Sequence, residues 1–190
     1  KVNKMMVKGL DTVRSSFPIA MREMLSKLLE DILMDVPKDK LDKFILNFKN
    51  SMKLMDFEKI SVPTSVKNVQ KYVDKDRKGF APYKKGTPVH VKSAIAYNDL
   101  LEYYNQDKRY EKIANGSKIK WLYLKNNNLG LDTVAFKGYE DPPEIMKFIR
   151  DNINPSKLYK QALHKKIMML YQALGWDEPT DSSKTIERFF

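Results

Sequence analysis

Residues 18–36 read PIAMREMLSKLLEDILMDV, and the apolar residues in this stretch recur every three or four positions. That spacing places them on one side of a helix, with the charged residues on the other side. Pro18 is tolerated in a first helical turn, and Pro37 ends the pattern because a proline disfavours helix in the residue before it. The stretch therefore predicts an amphipathic helix that packs on a core. Its apolar face consists of Met21, Met24, Leu25, Leu28, Leu29, Ile32 and Leu33.

Most of the remaining chain also has helical spacing, and two segments have the alternation typical of strands. Lysines and large apolar residues alternate over much of residues 118–125. Residues 131–136 can pair with this stretch across the turn at Asn126, Asn127 and Asn128. We therefore expect an α+β fold that is predominantly helical, with a small antiparallel β element. Further helices are predicted over residues 41–55, 66–72, 89–104, 142–150 and 155–174, and a short strand, stopped by Pro63, over residues 59–62.

The net charge indicates the kind of partner. Lys and Arg number 35 against 24 Asp and Glu in 190 residues, a formal charge of +11. Such an excess favours an anionic partner, either nucleic acid or a membrane surface. No apolar run approaches about 18 residues, so neither a transmembrane helix nor a signal peptide is expected. The lack of cysteine excludes disulfides and thiolate sites. Because the chain begins with Lys1 and not Met, we expect a fragment or a processed chain.

More than half of the excess charge lies between Lys67 and Lys92, which we call the basic segment. It has eight basic and two acidic residues, a net charge of +6. Glycines and prolines interrupt it between Gly79 and Pro88, so no regular helix is expected over those residues, and aromatic side chains lie between the lysines. These features favour a surface that follows nucleic-acid phosphates, although a solvated charged loop has the same composition. The basic residues are Lys67, Lys71, Lys75, Arg77, Lys78, Lys84, Lys85 and Lys92.

The sequence contains no catalytic or metal-binding constellation. Its two histidines, His90 and His164, are far apart and have no carboxylate at ligand spacing. Motifs for phosphate loops, serine hydrolases and zinc proteases are absent. The one close acidic pair, Asp74 and Asp76, lies among lysines and is a poor candidate for holding two metal ions. We therefore assign no catalytic residue, metal ligand or cofactor to this chain.

Four segments resemble family B DNA polymerases. Residues 8–18, KGLDTVRSSFP, resemble the segment K-G-L-E-T-x-R/K-x-S-x-P, which closes the palm domain in that family and leads into the thumb. Residues 60–72, ISVPTSVKNVQKY, resemble I-S-x-x-S-x-x-N-I-x-K-Y. Residues 79–92 resemble the stretch G-F-x-x-x-K-x-P-x-H-x-R/K, and residues 96–98, AYN, its T/A-Y-N. The resemblance is strongest to the replicative polymerases of T-even-type phages. It covers the first 105 residues well, and as far as position 176 it follows mainly the order of elements.

The resemblance implies a domain division: the end of a palm domain at 1–17, a thumb domain at 18–176 and a flexible tail at 177–190. It implies a thumb that grips the primer–template duplex through backbone phosphates, independently of sequence. Near the palm edge, Lys8 and Arg14 would approach the primer. The thumb contacts would come from Lys71, Lys84, Lys85, His90 and Lys92, on a surface positioned by Tyr97 and Asn98.

The last eight residues, SKTIERFF, look like the clamp-binding box Q-x-x-[ILM]-x-x-F-F, with Ser183 where Gln is usual. Ile186, Phe189 and Phe190 would fall on one side of a helical turn. At an exposed chain end they would leave apolar area in water unless a partner received it. Such a peptide docks on the sliding clamp in the phage members of the family, and the resemblance implies the same partner here. The alternative is that these residues fold back on the core.

The palm motifs D-x-x-S-L-Y-P and D-T-D, which hold two Mg²⁺ ions in the family, are absent from this sequence and would precede Lys1. The resemblance thus implies the C-terminal part of a DNA-directed DNA polymerase, a nucleotidyltransferase that is inactive without its palm. Its partners would be the duplex, the clamp and the palm, fingers and exonuclease parts, in the host-cell cytoplasm and without a membrane. One alternative is a stand-alone basic nucleic-acid or scaffold module. A membrane-surface protein is disfavoured, because the basic residues do not lie on a helix opposite an apolar face.

Overall fold

The computed structural model describes residues 14–76 and 78–180. The chain forms two compact units. One, the helical unit, combines residues up to Ile60 with those from Pro155 onward, and the other, the sheet unit, is Ser61–Asn154. Helices predominate, and a small antiparallel sheet lies in the sheet unit, so the predicted α+β class is confirmed. None of the helices in the described ranges is both long and apolar enough to cross a membrane.

The order of the elements follows the sequence patterns over most of the chain. It is α1 (Ile19–Leu33), α2 (Lys38–Ser51), α3 (Phe57–Ile60), β1 (Val62–Ser65), α4 (Val69–Tyr72), α5 (Val89–Tyr103), β2 (Lys118–Tyr123), β3 (Thr133–Phe136), α6 (Pro143–Asn152), α7 (Pro155–Leu158), the π-helical segment π1 (Tyr159–His164) and α8 (Lys165–Ala173).

Helix α1 confirms the amphipathic helix predicted over residues 18–36. It begins after Pro18, which has extended backbone angles, and ends at Leu33. Asp35 has a φ of +54°, a left-handed conformation that cannot continue a right-handed helix, so the chain turns before Pro37. The buried face matches the apolar spacing up to the last turn, where Leu33 is 64% exposed. Buried α1 residues are Ala20, Met21, Met24, Leu25, Leu28 and Leu29.

A buried carboxylate joins distant parts of the helical unit. Asp42 on α2 is 4% exposed. It accepts hydrogen bonds from Lys38 Nζ at 2.7 Å, from the Tyr171 hydroxyl at 2.9 Å and from the Thr180 backbone N–H at 3.3 Å. Burial, together with this carboxylate, raises the pKa of the Tyr171 phenol above its usual range. Asp42 therefore links α2 to α8 and to the segment that follows α8.

The final helical stretch has the predicted extent but contains a π turn that the sequence patterns did not indicate. Four buried side chains along it are spaced four residues apart. Four residues exceed the 3.6 of an α-helical turn, so a purely α-helical row would drift off the buried face. The wider turn of π1, with its i→i+5 hydrogen bonds, offsets that drift. The buried row is Tyr159, Leu163, Ile167 and Tyr171.

The sheet has the order β1-β2-β3, and both pairings are antiparallel. Trp121 in the central strand lies opposite Val62 on one side and Ala135 on the other. The predicted hairpin of residues 118–125 and 131–136 is confirmed. The predicted strand over residues 59–62 is wrong, because Phe57–Ile60 is a helical turn and the strand continues through Pro63. Proline is tolerated there because β1 is an edge strand.

The short helix predicted from Val66 begins later, at Val69. The Val66 N–H donates to the Ser117 carbonyl at 3.0 Å, and the Gly116 N–H donates to the Val66 carbonyl at 2.8 Å. Val66 therefore prolongs the pairing of β1 and is not available to a helix. Helix α5 follows the prediction closely and packs on β3, with Ile95, Leu100 and Leu101 buried as expected.

Candidate nucleic-acid interface

The basic segment is folded as a short ribbon. Val73 and Tyr83 form an antiparallel bridge. On either side of it, the Asp74 N–H donates to the Pro82 carbonyl at 3.1 Å and the Lys84 N–H to the Tyr72 carbonyl at 3.0 Å. As the composition predicted, the described residues between α4 and α5, which are all of them except Arg77, are not helical. The backbone bonds nevertheless give the lysines defined places.

Asp99 on α5 fixes the second half of this ribbon. Its carboxylate accepts a hydrogen bond from the backbone N–H of Ala81. Ala81 is 3% exposed and has a φ of +48°, a conformation that L-residues other than Asn and Asp adopt rarely. Burial raises the pKa of the Asp99 carboxyl. The bond to Asp99 holds Ala81 in place, and with it the course of the chain from Phe80 to Tyr83.

Two asparagines fix the beginning of the basic segment. Asn98 accepts a bond from the Ile113 N–H at 2.7 Å and donates to the Ile113 carbonyl at 2.9 Å, so its amide pairs with this residue as a strand neighbour would. Two residues further on, Asn115 Oδ1 accepts the Val69 N–H at 3.0 Å, at the start of α4. Helix α5 thus positions the loop before β2, and that loop positions the start of the helix that carries Lys71.

The net positive charge of the sheet unit comes from the basic segment. The unit as a whole carries +6, which is also the charge of residues 67–92, so the remainder of the unit is neutral. Among its lysines, Lys92 is half-buried, with Nζ 4.7 Å from the Tyr83 ring centroid, a cation–π geometry that ties α5 to the ribbon. The exposed lysines of the segment are Lys67, Lys71, Lys75, Lys78, Lys84 and Lys85.

Three of the residues assigned to duplex binding, Lys71, Lys84 and Lys85, are therefore exposed on one folded segment. His90 is half-buried, and burial lowers the pKa of its imidazole, which disfavours its charged form. Tyr97 is fully buried, and burial and the Asp141 carboxylate raise the pKa of its phenol. Tyr97 cannot touch a ligand directly in this conformation, which leaves it the positioning role.

Several assigned residues lie elsewhere. Arg14 is exposed and belongs to the helical unit. Lys8 and the clamp-binding residues Ile186, Phe189 and Phe190 lie outside the described residues, as do Arg77 of the basic segment and most of the segment assigned to the palm. Their assignments stay predictions, and so do the domain boundaries.

The residues that hold the ribbon were missed by sequence reasoning. Asp99 and Asn115 carry no motif of their own. A signal existed for Asp99, which directly follows Tyr97 and Asn98 and gives α5 two adjacent polar side chains beside an apolar face. For Asn115 there was none, because its partner Val69 is 46 positions away.

Within the described ranges, no three His, Asp or Glu side chains come together as a metal site would require. Comparison of the whole sequence with models of protein families and with curated proteins finds no match.

Proposed function

We propose that this chain is the C-terminal thumb part of a family B DNA polymerase and that its basic segment grips the primer–template duplex through backbone phosphates. The observation that carries the proposal is the exposed, backbone-anchored set of lysines in an otherwise neutral unit. The polymerase assignment itself is supported by the resemblance of residues 8–18, 60–72, 79–92 and 96–98.

The expected grip is independent of base sequence. Lysine ammonium groups bind phosphates as point charges, whereas base recognition uses side chains that reach the groove edges. Each phosphate neutralised releases counterions and makes the slope of log affinity against log salt more negative by about 0.9. A thumb of this kind would hold the product duplex while the chemistry takes place in the palm, where the family's two metal ions bind.

The test is the double substitution Lys84→Ala and Lys85→Ala in the full chain. Duplex affinity should fall equally for unrelated sequences, and the negative salt slope should become shallower by about 2. Fluorescence anisotropy over a range of salt concentrations measures both. A matched control, Lys40→Ala with Lys43→Ala, removes two exposed lysines from α2 and changes the net charge equally. Equal effects of the two double variants would reduce the binding to general charge and refute the assigned surface.

A second experiment tests the polymerase context through the tail. The full chain is titrated with a sliding clamp, and Phe189→Ala with Phe190→Ala is expected to abolish binding because the apolar anchor is lost. A Ser183→Gln variant, which restores the usual first residue of the box, should bind more tightly. Duplex binding without any clamp binding would favour the stand-alone basic module.

A further inference from the structure

A cleft with a volume of about 350 Å³ lies in the helical unit. Its walls come from α2, from the helical stretch that includes π1 and from the segment after α8. Small-molecule sites in proteins have volumes of about 300–1,000 Å³, so this cleft suits a ligand at the small end of that range. No function proposed above uses it.

Two lysines from different helices line the cleft. Lys49 lies on α2 and Lys160 in π1, and both are exposed. Among the described residues, neither ammonium group forms an ion pair with a carboxylate. Lys49 Nζ lies 5.4 Å from the ring centroid of buried Tyr159, a cation–π contact that limits its movement. Two such charges facing one concave space favour an anion there.

The third wall is fixed by contacts outside the cleft. Glu178 and Pro179 lie in a segment held at both ends. At one end Trp176 packs edge-to-face on Tyr171, with ring centroids 5.3 Å apart, and at the other the Thr180 N–H donates to Asp42. The cleft is therefore formed before any ligand arrives, which lowers the entropic cost of binding.

We propose that this cleft binds a small phosphate-bearing molecule of about mononucleotide size, with Lys49 and Lys160 contacting the phosphate. The Ser156 hydroxyl also lines the cleft and can donate to a phosphate oxygen. Leu46 and Pro179 offer apolar surface to the rest of such a ligand. The inference is independent of the function proposed for the basic segment, because the two sites share no residue.

One carboxylate in the cleft should weaken phosphate binding, whereas the lysines should strengthen it. Glu178 Oε1 lies 3.8 Å from His164 Nε2 and would repel a phosphate. Glu178→Gln removes that repulsion with little change of shape, so it should tighten binding severalfold. Lys49→Ala and Lys160→Ala should each weaken it about tenfold, because a charge-assisted hydrogen bond is lost.

The experiment titrates dAMP and, separately, deoxyadenosine into the full isotope-labelled chain and follows the backbone amide resonances. The expected result is saturable binding of dAMP, with shifts at residues 156–164, and no comparable binding of deoxyadenosine. Lys165→Ala, at an exposed lysine outside the cleft, should leave the affinity unchanged. Thermal melts identify any variant that is not folded.

Equal affinity for dAMP and deoxyadenosine would overturn the proposal, as would unchanged dAMP affinity in folded Lys49→Ala and Lys160→Ala variants. A short duplex, with and without a 5′-phosphate, tests whether the two lysines bind the phosphates of nucleic acid. Displacement of dAMP by both duplexes would assign the two lysines to nucleic-acid binding and remove the small-molecule site. Retention of dAMP in the presence of duplex would support the site.

Discussion

Each unit of the molecule uses one aspartate to hold distant backbone in place, and the two aspartates differ in what they determine. Asp42 in the helical unit is almost fully buried and accepts bonds from an ammonium, a phenol and a backbone N–H. Asp99 in the sheet unit is half-buried and accepts the N–H of Ala81, at the edge of the basic segment. A carboxylate inside a core mainly governs stability, whereas one at the edge of a charged surface mainly governs the shape of that surface.

The largest effect is expected for Asp42→Ala, which leaves the Tyr171 hydroxyl and the Thr180 N–H without their acceptor. Breaking a buried pair costs about 3–5 kcal/mol, so the free energy of unfolding should fall by about 3 kcal/mol. Urea denaturation followed by circular dichroism measures it. Asp39→Ala, at an exposed position of the same helix, is the control and should cost less than about 1 kcal/mol. Similar losses in the two variants would show that Asp42 has no special role.

In the sheet unit, Asn98→Ala should cost about 2 kcal/mol of unfolding free energy, because both polar groups of the Ile113 backbone lose their partner. Asn128→Ala removes an exposed asparagine from a turn and serves as the control. Amide hydrogen exchange gives a local measure, since the Ile113 N–H should exchange much faster in the Asn98 variant. Unchanged protection at Ile113 would contradict the assigned bond.

Two substitutions of Asp99 distinguish the effect of its hydrogen bond to Ala81 from the effect of its negative charge. Both remove a negative charge near the basic segment, which by electrostatics alone would strengthen duplex binding. Asp99→Ala also removes the acceptor for Ala81 and should weaken binding about threefold, with an unchanged salt slope. Asp99→Asn keeps an oxygen acceptor and should not weaken it. Tighter binding by the alanine variant would mean that Asp99 does not position the ribbon.

The smallest effect concerns Tyr159 in the helical unit, whose pKa burial raises to about 12, with a contribution from Glu178. Between about pH 10 and that value the unfolded chain loses this proton while the folded chain retains it, so stability should fall as the pH rises. Below pH 10 both states keep the proton and no change is expected. Urea midpoints at alkaline pH should decline less steeply in Tyr159→Phe than in Tyr139→Phe, which changes an exposed tyrosine.

The parts of the fold that the sequence predicted are those in which one local pattern decides the structure. The row from Met21 to Leu29 needs only helical spacing, and the hairpin of β2 and β3 only alternation across a turn. The prediction that Pro63 stops the strand was wrong, because proline is tolerated in β1 only as an edge strand, and that position is a property of the assembled sheet. The π turn was not predicted, because a four-residue spacing of apolar side chains differs little from the 3.6 residues of an α-helical turn until several repeats accumulate.

In the candidate site, too, the features that depend on local sequence were predictable and those that depend on distant residues were not. Composition located the exposed lysines of the basic segment, since charge excess and helix-breaking residues are local properties. It could not supply the bonds from Asp99 and Asn115, which join residues 18 and 46 positions apart. The resemblance distinguished the positioning role of Tyr97 from the contacting lysines, but it could not separate exposed Lys84 from half-buried Lys92, because burial depends on the folded structure.

The π turn at Tyr159–His164 also determines which changes of length the last helix can tolerate. Such a turn holds one residue more than an α-helix needs for the same rise, so deleting one residue there would restore regular α-helical hydrogen bonding. Every later side chain would then keep nearly its present direction relative to the earlier half, because the residue removed is the surplus one. Tyr171 would still face Asp42. The same deletion within α8, which has no surplus residue, would turn the side chains that follow it by about 100° and take Tyr171 away from Asp42. A single-codon deletion is therefore tolerated in the π turn and not in the regular helix beside it.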